Sequence, residues 1–140
     1  MKLLGLTISF LLLFTSCKET KKETFDLNSF PKDWVRLTDK DGKLIVYNSC
    51  DAGNLLLTIS KNSDHFELLL HGGQEDYDFE ILETTQLNDT IFLKAKWKDS
   101  DEKQDFKFFW TNKEKGLGRF ITTYSSGFTS DNLFVTRDKQ

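Results

Sequence analysis

Three side chains in the middle of this chain could carry nucleophilic chemistry: Cys50, His65 and His71. A thiol beside an imidazole base is the arrangement that activates a cysteine nucleophile. The sequence around Cys50, however, matches neither a nucleophile motif nor a metal-ligand spacing. His65 and His71 share one face of a predicted strand and lie about 20 Å apart at the rise of a strand, so they do not chelate one ion. We interpret Cys50 as a free thiol that is buried or near a turn.

The acidic and glycine clusters do not indicate catalysis either. Asp76-Tyr77-Asp78 and the acidic residues of 99–105 lack the fixed ligand offsets and bend glycine of a calcium loop. Gly72-Gly73 and Gly116-Leu117-Gly118 lack the strand-to-helix context of a phosphate-binding loop. The sequence therefore predicts no catalytic residue, no metal site and no cofactor, and it favours a non-enzymatic protein.

Composition restricts the class of protein further. The 140 residues include 13 Phe, 3 Trp and 3 Tyr, which is enough aromatic surface to bury the core of one globular domain. The 19 Lys and Arg are outnumbered by 22 Asp and Glu, for a formal net charge of -3. Without a basic excess, the chain lacks the electrostatic footprint of a nucleic-acid-binding protein.

The amino terminus has the pattern of an export signal. Met1-Lys2 precedes an uncharged apolar run over residues 3–14, which ends in Thr15-Ser16 and Cys17. The run is too short for a transmembrane helix, which needs about 20 residues, and a charged segment follows at once. We interpret it as a signal peptide.

The end of this segment, Leu13-Phe14-Thr15-Ser16-Cys17, resembles the lipobox of bacterial lipoproteins, and its Phe and Thr are similar to those of the Bacteroidota. The resemblance implies cleavage before Cys17 and acylation of Cys17, which would anchor the protein to a membrane through its acyl chains. The alternative is an ordinary secretory signal in which Cys17 lies near the cleavage point.

The residues after Cys17 bear on location and domain organisation. In the lipoprotein sorting rule, Asp after the Cys retains the protein in the inner membrane, and Lys18 stands there instead. The resemblance thus implies an outer-membrane lipoprotein of the cell envelope that faces either the periplasm or the cell surface. We predict a signal peptide over 1–16, a lipidated Cys and polar tether over 17–30, and a single β-domain over 31–140.

The body of the chain alternates apolar and polar residues with period two, which is typical of half-buried strands. Turn-forming Gly, Asn and Asp separate the runs every 10 to 15 residues and leave no room for crossover helices, so successive strands should pair antiparallel. The predicted strands lie near 34–38, 43–49, 54–60, 65–71, 76–85, 90–98, 104–111, 118–124 and 132–137.

An open meander of eight or nine strands would expose two edges, which closing the sheet removes. In strand number and spacing the body resembles a lipocalin-like barrel, and we predict an all-β, up-and-down antiparallel barrel of that kind. A two-sheet β-sandwich is the alternative.

Two hypotheses for function follow from the apolar residues. A small apolar ligand could bind inside the barrel, against an aromatic group that comprises Trp97, Phe106, Phe108 and Trp110. Alternatively, a protein partner could cover an outer apolar stripe, for an inhibitor or a subunit of an envelope complex. That stripe comprises Leu56, Leu69, Leu82, Phe92 and Phe109, unless Phe25, Leu27 and Phe30 fold back over it.

The lipobox yields the first testable prediction. Cells that express the protein should incorporate a fatty-acid probe into it, and Cys17→Ser should abolish the labelling because the acylated thiol is gone. Gel fluorescence of the immunoprecipitated protein measures the effect, with Cys50→Ser as the matched control that keeps its label. An unlabelled wild-type protein would contradict the prediction.

Overall fold

The computed structural model describes residues 22–47 and 54–140; Cys17 and Cys50 lie outside these ranges. Within them the chain forms strands, joined by tight turns, and two short 3-10 helices over Leu27–Ser29 and Arg137–Lys139. The strands are β1 (Glu23–Thr24), β2 (Asp33–Arg36), β3 (Thr38–Lys40), β4 (Lys43–Ile45), β5 (Leu56–Asn62), β6 (His65–His71), β7 (Asp76–Leu87), β8 (Thr90–Trp97), β9 (Lys103–Asn112), β10 (Leu117–Thr123) and β11 (Thr129–Thr136).

Eight of these strands close into an antiparallel up-and-down barrel. From β5 to β11 each strand pairs with the next, and β2 joins the two ends by pairing with both β11 and β5. In that closure Val35 stands opposite Val135, and Trp34 opposite Leu57. The prediction of an all-β closed barrel with a lipocalin-like architecture is confirmed, and the alternative of a two-sheet sandwich is not what the chain adopts.

The described part of the strand predicted at 43–49 is not part of the barrel wall. β4 pairs only with β3, and the two form a separate hairpin in the connection from β2 to β5. Asp41 and Gly42 adopt positive φ angles of 55° and 75°, as a two-residue hairpin turn requires. The Asp39 carboxylate accepts a hydrogen bond from the Gly42 amide at 2.9 Å. This local turn pairs β4 with its nearest neighbour in sequence, so it does not join the closed sheet.

The inner face of the barrel is the apolar face that the alternation predicts. Every second side chain of β5, β6 and β8 points inward, as in β7 up to a bulge after Ile81, and the buried residues form one hydrophobic cluster. Its fully buried members with the largest side chains are Trp34, Leu57, Leu68, Leu93, Phe106, Phe108 and Phe134.

Gly118 shows how tightly this core is packed. It lies on the inner face of β10, beside a bulge in the pairing with β9. A Cβ atom at this position would overlap the ring of Phe108. The absence of a side chain at Gly118 therefore makes room for an aromatic ring that fills the interior.

A short N-terminal segment plugs one end of the barrel. β1 pairs with the end of β7 beyond the point where β6 stops, with Thr24 opposite Thr85. The chain then crosses the mouth, where Leu27 and Phe30 are buried in the core. Of the segment 17–30 that we predicted as a polar tether, the described residues from β1 onward pack against the barrel. The apolar residues of the plug enter the mouth and do not cover the outer stripe.

The barrel has two distinct ends. The plugged end carries the β5–β6, β7–β8 and β9–β10 turns, and β2 begins there. The opposite end, which we call the hairpin end, carries the β6–β7, β8–β9 and β10–β11 turns and the β3–β4 hairpin. In the two described ranges, no helix has the length and hydropathy to cross a membrane.

Candidate functional site

The four aromatic residues predicted to line an internal pocket do not surround one space. Phe106 and Phe108 are fully buried, whereas Trp97 and Trp110 are half-buried near opposite ends of the barrel. Trp97 packs against Phe79 with ring centroids 4.5 Å apart, and Trp110 packs against Phe108 at 5.2 Å. Trp97 and Phe106 thus belong to one group of contacting rings, which includes Phe79, and Phe108 and Trp110 belong to another.

The interior beneath the plug is filled. The gap enclosed by Phe30, Trp34, Phe108 and their neighbours has no room for a water molecule. Phe30 meets Phe108 edge to face at 4.7 Å, and Trp34 meets Phe108 at 5.0 Å. Since edge-to-face and tilted contacts of this kind occupy the axis, this part of the barrel holds side chains where a ligand would have to lie.

The predicted outer stripe is interrupted by polar residues in the observed strand register. Leu69 stands between Thr58 and Asp78 on the neighbouring strands. Phe92 stands opposite Lys107. Apolar residues of the stripe therefore alternate with polar and charged ones across the wall, and the five residues do not form a continuous apolar band.

Exposure of the stripe is also uneven. Leu82 is 48% exposed, whereas Leu56, Leu69, Phe92 and Phe109 are half-buried. The ammonium groups of Lys22 and Lys107 lie 5.5 and 6.0 Å from the centre of the Phe92 ring, within cation–π range. Lysine side chains thus already cover one of the largest side chains of the stripe.

Two large concave surfaces lie at the plugged end. Two open clefts, of about 540 and 500 Å³, flank the plug and share Ser29, Phe30, Pro31, Trp110 and Lys113. We call them the mouth clefts. The Trp34 indole N–H donates to the Pro31 carbonyl at 2.9 Å, and this bond fixes the plug against the start of β2. The rings of Phe30 and Trp110, with centroids 6.3 Å apart, give the clefts an aromatic wall.

Cationic side chains surround the larger mouth cleft. They are contributed by the plug, the β9–β10 turn and the carboxy-terminal 3-10 helix: Lys32, Lys113, Arg137 and Lys139. All four are exposed, and none lies in an ion pair with a carboxylate of the described ranges. Asp33 and Asp138 are the carboxylates of this lining. The cleft therefore combines an aromatic wall with a positive rim.

Sequence reasoning did not single out these residues. Lys32 and Lys139 stand at opposite ends of the domain sequence, and each is an ordinary charged residue near a turn. Gly116 brings two of the three segments together, because its carbonyl accepts a hydrogen bond from the Thr136 amide at 3.0 Å. Its φ of 64° suits glycine, and a Cβ there would overlap the Thr136 hydroxyl. No local pattern in the sequence indicates that these cationic residues lie together.

The two histidines lie at opposite ends of β6, as the strand rise predicts. His71 hydrogen-bonds the carboxylate of Asp76 across the β6–β7 turn. His65 hydrogen-bonds Asp64 at 3.3 Å and Glu67 at 3.1 Å. In residues 22–47 and 54–140, no group of three or more His, Cys, Asp or Glu side chains is arranged to hold a metal ion.

Glu67 is the centre of a polar network on the outer wall. Its carboxylate accepts hydrogen bonds from Asn62 at 2.8 Å and from Lys98 at 2.9 Å. These bonds lower the pKa of Glu67 to about 2, Asn62 contributing most. The pKa of His65 is raised, first by its hydrogen bond to Asp64 and then by that to Glu67. The network joins strands β5 to β8 and faces solvent, so we assign it a structural role.

The two pKa shifts predict how the network's contribution to stability depends on pH. Glu67 stabilises the fold above its ordinary pKa of 4.5, and this contribution is lost as the pH falls towards 2. His65 stabilises the fold below its ordinary pKa of 6.5, and this contribution is lost as the pH rises through its higher folded pKa. Glu67→Gln should therefore lower the free energy of unfolding by about 1 kcal/mol between pH 4.5 and 6.5.

Urea denaturation of both proteins across the pH range measures this difference. It should vanish towards pH 2, where wild-type Glu67 also becomes neutral. Glu83→Gln is the matched control, since Glu83 is an exposed β7 carboxylate that pairs with Lys94 at 3.4 Å. A Glu67→Gln effect that is independent of pH, or no larger than that of Glu83→Gln, would contradict the prediction.

Comparison with protein-family models, with curated proteins and with solved structures gave no match for this chain. The barrel assignment accordingly rests on the strand order and register described above. Any function has to be argued from the surfaces of the barrel, because a barrel fold by itself hosts many unrelated activities. Of those surfaces, the mouth clefts combine concavity, aromatic rings and unpaired charge.

Proposed function

We propose that this protein is a non-enzymatic binding module of the cell envelope, anchored by acyl chains on Cys17, that binds a small anionic amphiphile at the plugged end of its barrel. The lipobox-like sequence before Cys17 supports the anchor. The shape and charge of the mouth clefts support the ligand class. The proposed ligand site therefore differs from the internal site that the sequence suggested.

The observation that carries this proposal is the contrast between a filled interior and open clefts at the mouth. The gap under Phe30 excludes even water, whereas the mouth clefts measure about 540 and 500 Å³. Small-molecule sites are usually concave spaces of roughly 300 to 1,000 Å³ with apolar walls and a few polar groups. The mouth clefts meet that description.

The lining favours one ligand chemistry. Phe25 and Ile91 line the second mouth cleft and can pack against an alkyl chain. Lys113 borders both clefts and can pair with the anionic group of the same molecule. A negatively charged head and an apolar tail would thus each meet a matching surface. A cationic amphiphile would instead meet the unpaired ammonium groups of the rim.

A binding experiment tests this proposal. Dodecanoate should bind the mature chain, residues 17–140 with Cys17→Ser, below its micellar concentration, as measured by isothermal titration calorimetry. Lys113→Glu should weaken the affinity by about tenfold, because it removes a charge-assisted contact. The dodecyltrimethylammonium ion, which has the same chain and the opposite charge, should not bind.

Lys103→Glu is the matched control, because Lys103 is an exposed lysine that begins β9, whereas Lys113 follows the last residue of that strand. It should leave dodecanoate affinity unchanged. Absence of dodecanoate binding, or an equal loss with both variants, would contradict the proposal.

A second candidate function is supported by the hairpin end. Four of the large hydrophobic side chains exposed in the described ranges lie there: Leu44, Tyr47, Tyr124 and Phe128. Phe128 is 65% exposed, and its ring lies 5.8 Å from that of Tyr124. Neighbouring exposed apolar side chains, such as Tyr124 and Phe128, are typical of protein-interaction surfaces. An interaction module would then use this end in place of the outer stripe.

Crosslinking in intact cells tests this second candidate. A photo-crosslinking residue in place of Phe128 should give a discrete covalent adduct of higher mass on a denaturing gel, because a partner covers that side chain. The same residue in place of Leu82, an exposed member of the outer stripe, is the control and should give none. An adduct at Leu82 only, or at neither position, would contradict the candidate.

A further inference from the structure

The direction of β1 determines where the polypeptide leaves the barrel. β1 is antiparallel to the end of β7, with Glu23 opposite Gln86 and Thr24 opposite Thr85. Followed backwards along the sequence, β1 therefore runs in the direction of β7, towards the plugged end. From Thr24 back to Lys22, the described chain thus approaches the end that holds the mouth clefts.

The distance from that exit to the anchor is short. Five residues lead from Cys17 to Lys22. A fully extended chain spans at most about 3.6 Å per residue, so the two Cα atoms lie within about 18 Å of each other. An acyl anchor on Cys17 would hold the plugged end close to the membrane surface. The hairpin end would point away from it, since strands of seven to twelve residues separate the two ends of the barrel wall.

The charges of the two ends match this orientation. The rim of the mouth clefts carries four cations and three carboxylates, Asp33, Asp89 and Asp138, and none of the four cations is paired with a carboxylate of the described ranges. The turns of the hairpin end carry more exposed carboxylates than ammonium groups. Those carboxylates are Asp39, Asp41, Glu75, Asp76, Asp99, Asp101 and Glu102, and the lysines are Lys40, Lys43, Lys98 and Lys103. An anionic membrane surface would attract the rim and repel the opposite end.

The aromatic wall of the mouth clefts also favours a position at the membrane surface. Trp110 is half-buried, and it borders both mouth clefts beside Lys113. Tryptophan favours the headgroup region of a membrane, where an amphipathic ring meets both apolar chains and water. Lysine adds attraction to phosphate as a flexible point charge.

We propose that the mouth clefts bind the headgroup of an anionic phospholipid in the membrane that anchors the protein. This inference rests on the proposed function and names its ligand. The cations of the rim contact the phosphate, and Phe30 and Trp110 lie against the upper part of the acyl chains. The barrel would then stand on the membrane with its hairpin end outward.

Vesicle sedimentation tests the inference without the acyl anchor. The mature chain, residues 17–140 with Cys17→Ser, should sediment with phosphatidylglycerol vesicles and not with phosphatidylcholine vesicles. Lys113→Glu combined with Lys139→Glu should lower the partition coefficient at least fivefold, because each basic residue contributes about that factor near an anionic surface. Lys103→Glu, at the hairpin end, should have little effect.

The outcomes separate this inference from the proposed function. In one outcome, the chain binds dodecanoate or free glycerol phosphate in solution but not phosphatidylglycerol vesicles. That result would overturn the inference of a membrane phospholipid, while the proposed binding of a soluble anionic ligand would stand. If the chain binds none of them, both proposals fail. If the double variant and Lys103→Glu lower the partition coefficient equally, the attraction to the vesicles is electrostatic but is not located at the mouth clefts. That result would also overturn the inference. Absence of fatty-acid labelling on Cys17 would remove the anchor and would overturn the inference that the phospholipid belongs to the anchoring membrane, whereas dodecanoate binding would be unaffected.

Discussion

The pairing of β2 with both β5 and β11 is the constraint on which the rest of this structure depends. Without it, the seven-strand meander from β5 to β11 would have two open edges with unpaired backbone groups. β2 is only four residues long, and it satisfies both edges by lying between the first and the last strand of the meander. Because β2 comes before the meander in sequence, the chain reaches β5 through a connection that includes the β3–β4 hairpin.

Closure at eight strands also limits what the interior can hold. A barrel of this strand number is either filled by its own side chains or just wide enough for one small ligand. Here aromatic rings fill the core, and the absence of a side chain at Gly118 makes room for the ring of Phe108. The plug completes the core by burying Leu27 and Phe30 at one mouth. The surfaces that we propose for binding consequently lie at the two ends of the barrel, which differ in charge, in shape and in the kind of side chain they expose.

A lipid anchor next to β1 would give these ends different surroundings. The plugged end would face the membrane with its aromatic wall and cationic rim, and the hairpin end would face outward with Tyr124 and Phe128 exposed. A ligand site and a partner surface would then be compatible on one small domain, because they would lie at opposite ends of the barrel. The proposed anchor and the barrel together would make an oriented module, which neither would make alone.

Period-two alternation was sufficient to predict most strands and their buried faces: β6 was expected at 65–71 and observed at His65–His71. Alternation works because each side chain of a strand points to one of two faces, a local property of the backbone. The sequence did not reveal that β4 leaves the wall, that Phe30 enters the core, or that the stripe around Phe92 is broken by Lys107. Nor did it indicate that Lys32, Lys113 and Lys139 converge. These features depend on strand register, closure and the path of a loop, and they became visible only when residues distant in sequence were brought into contact.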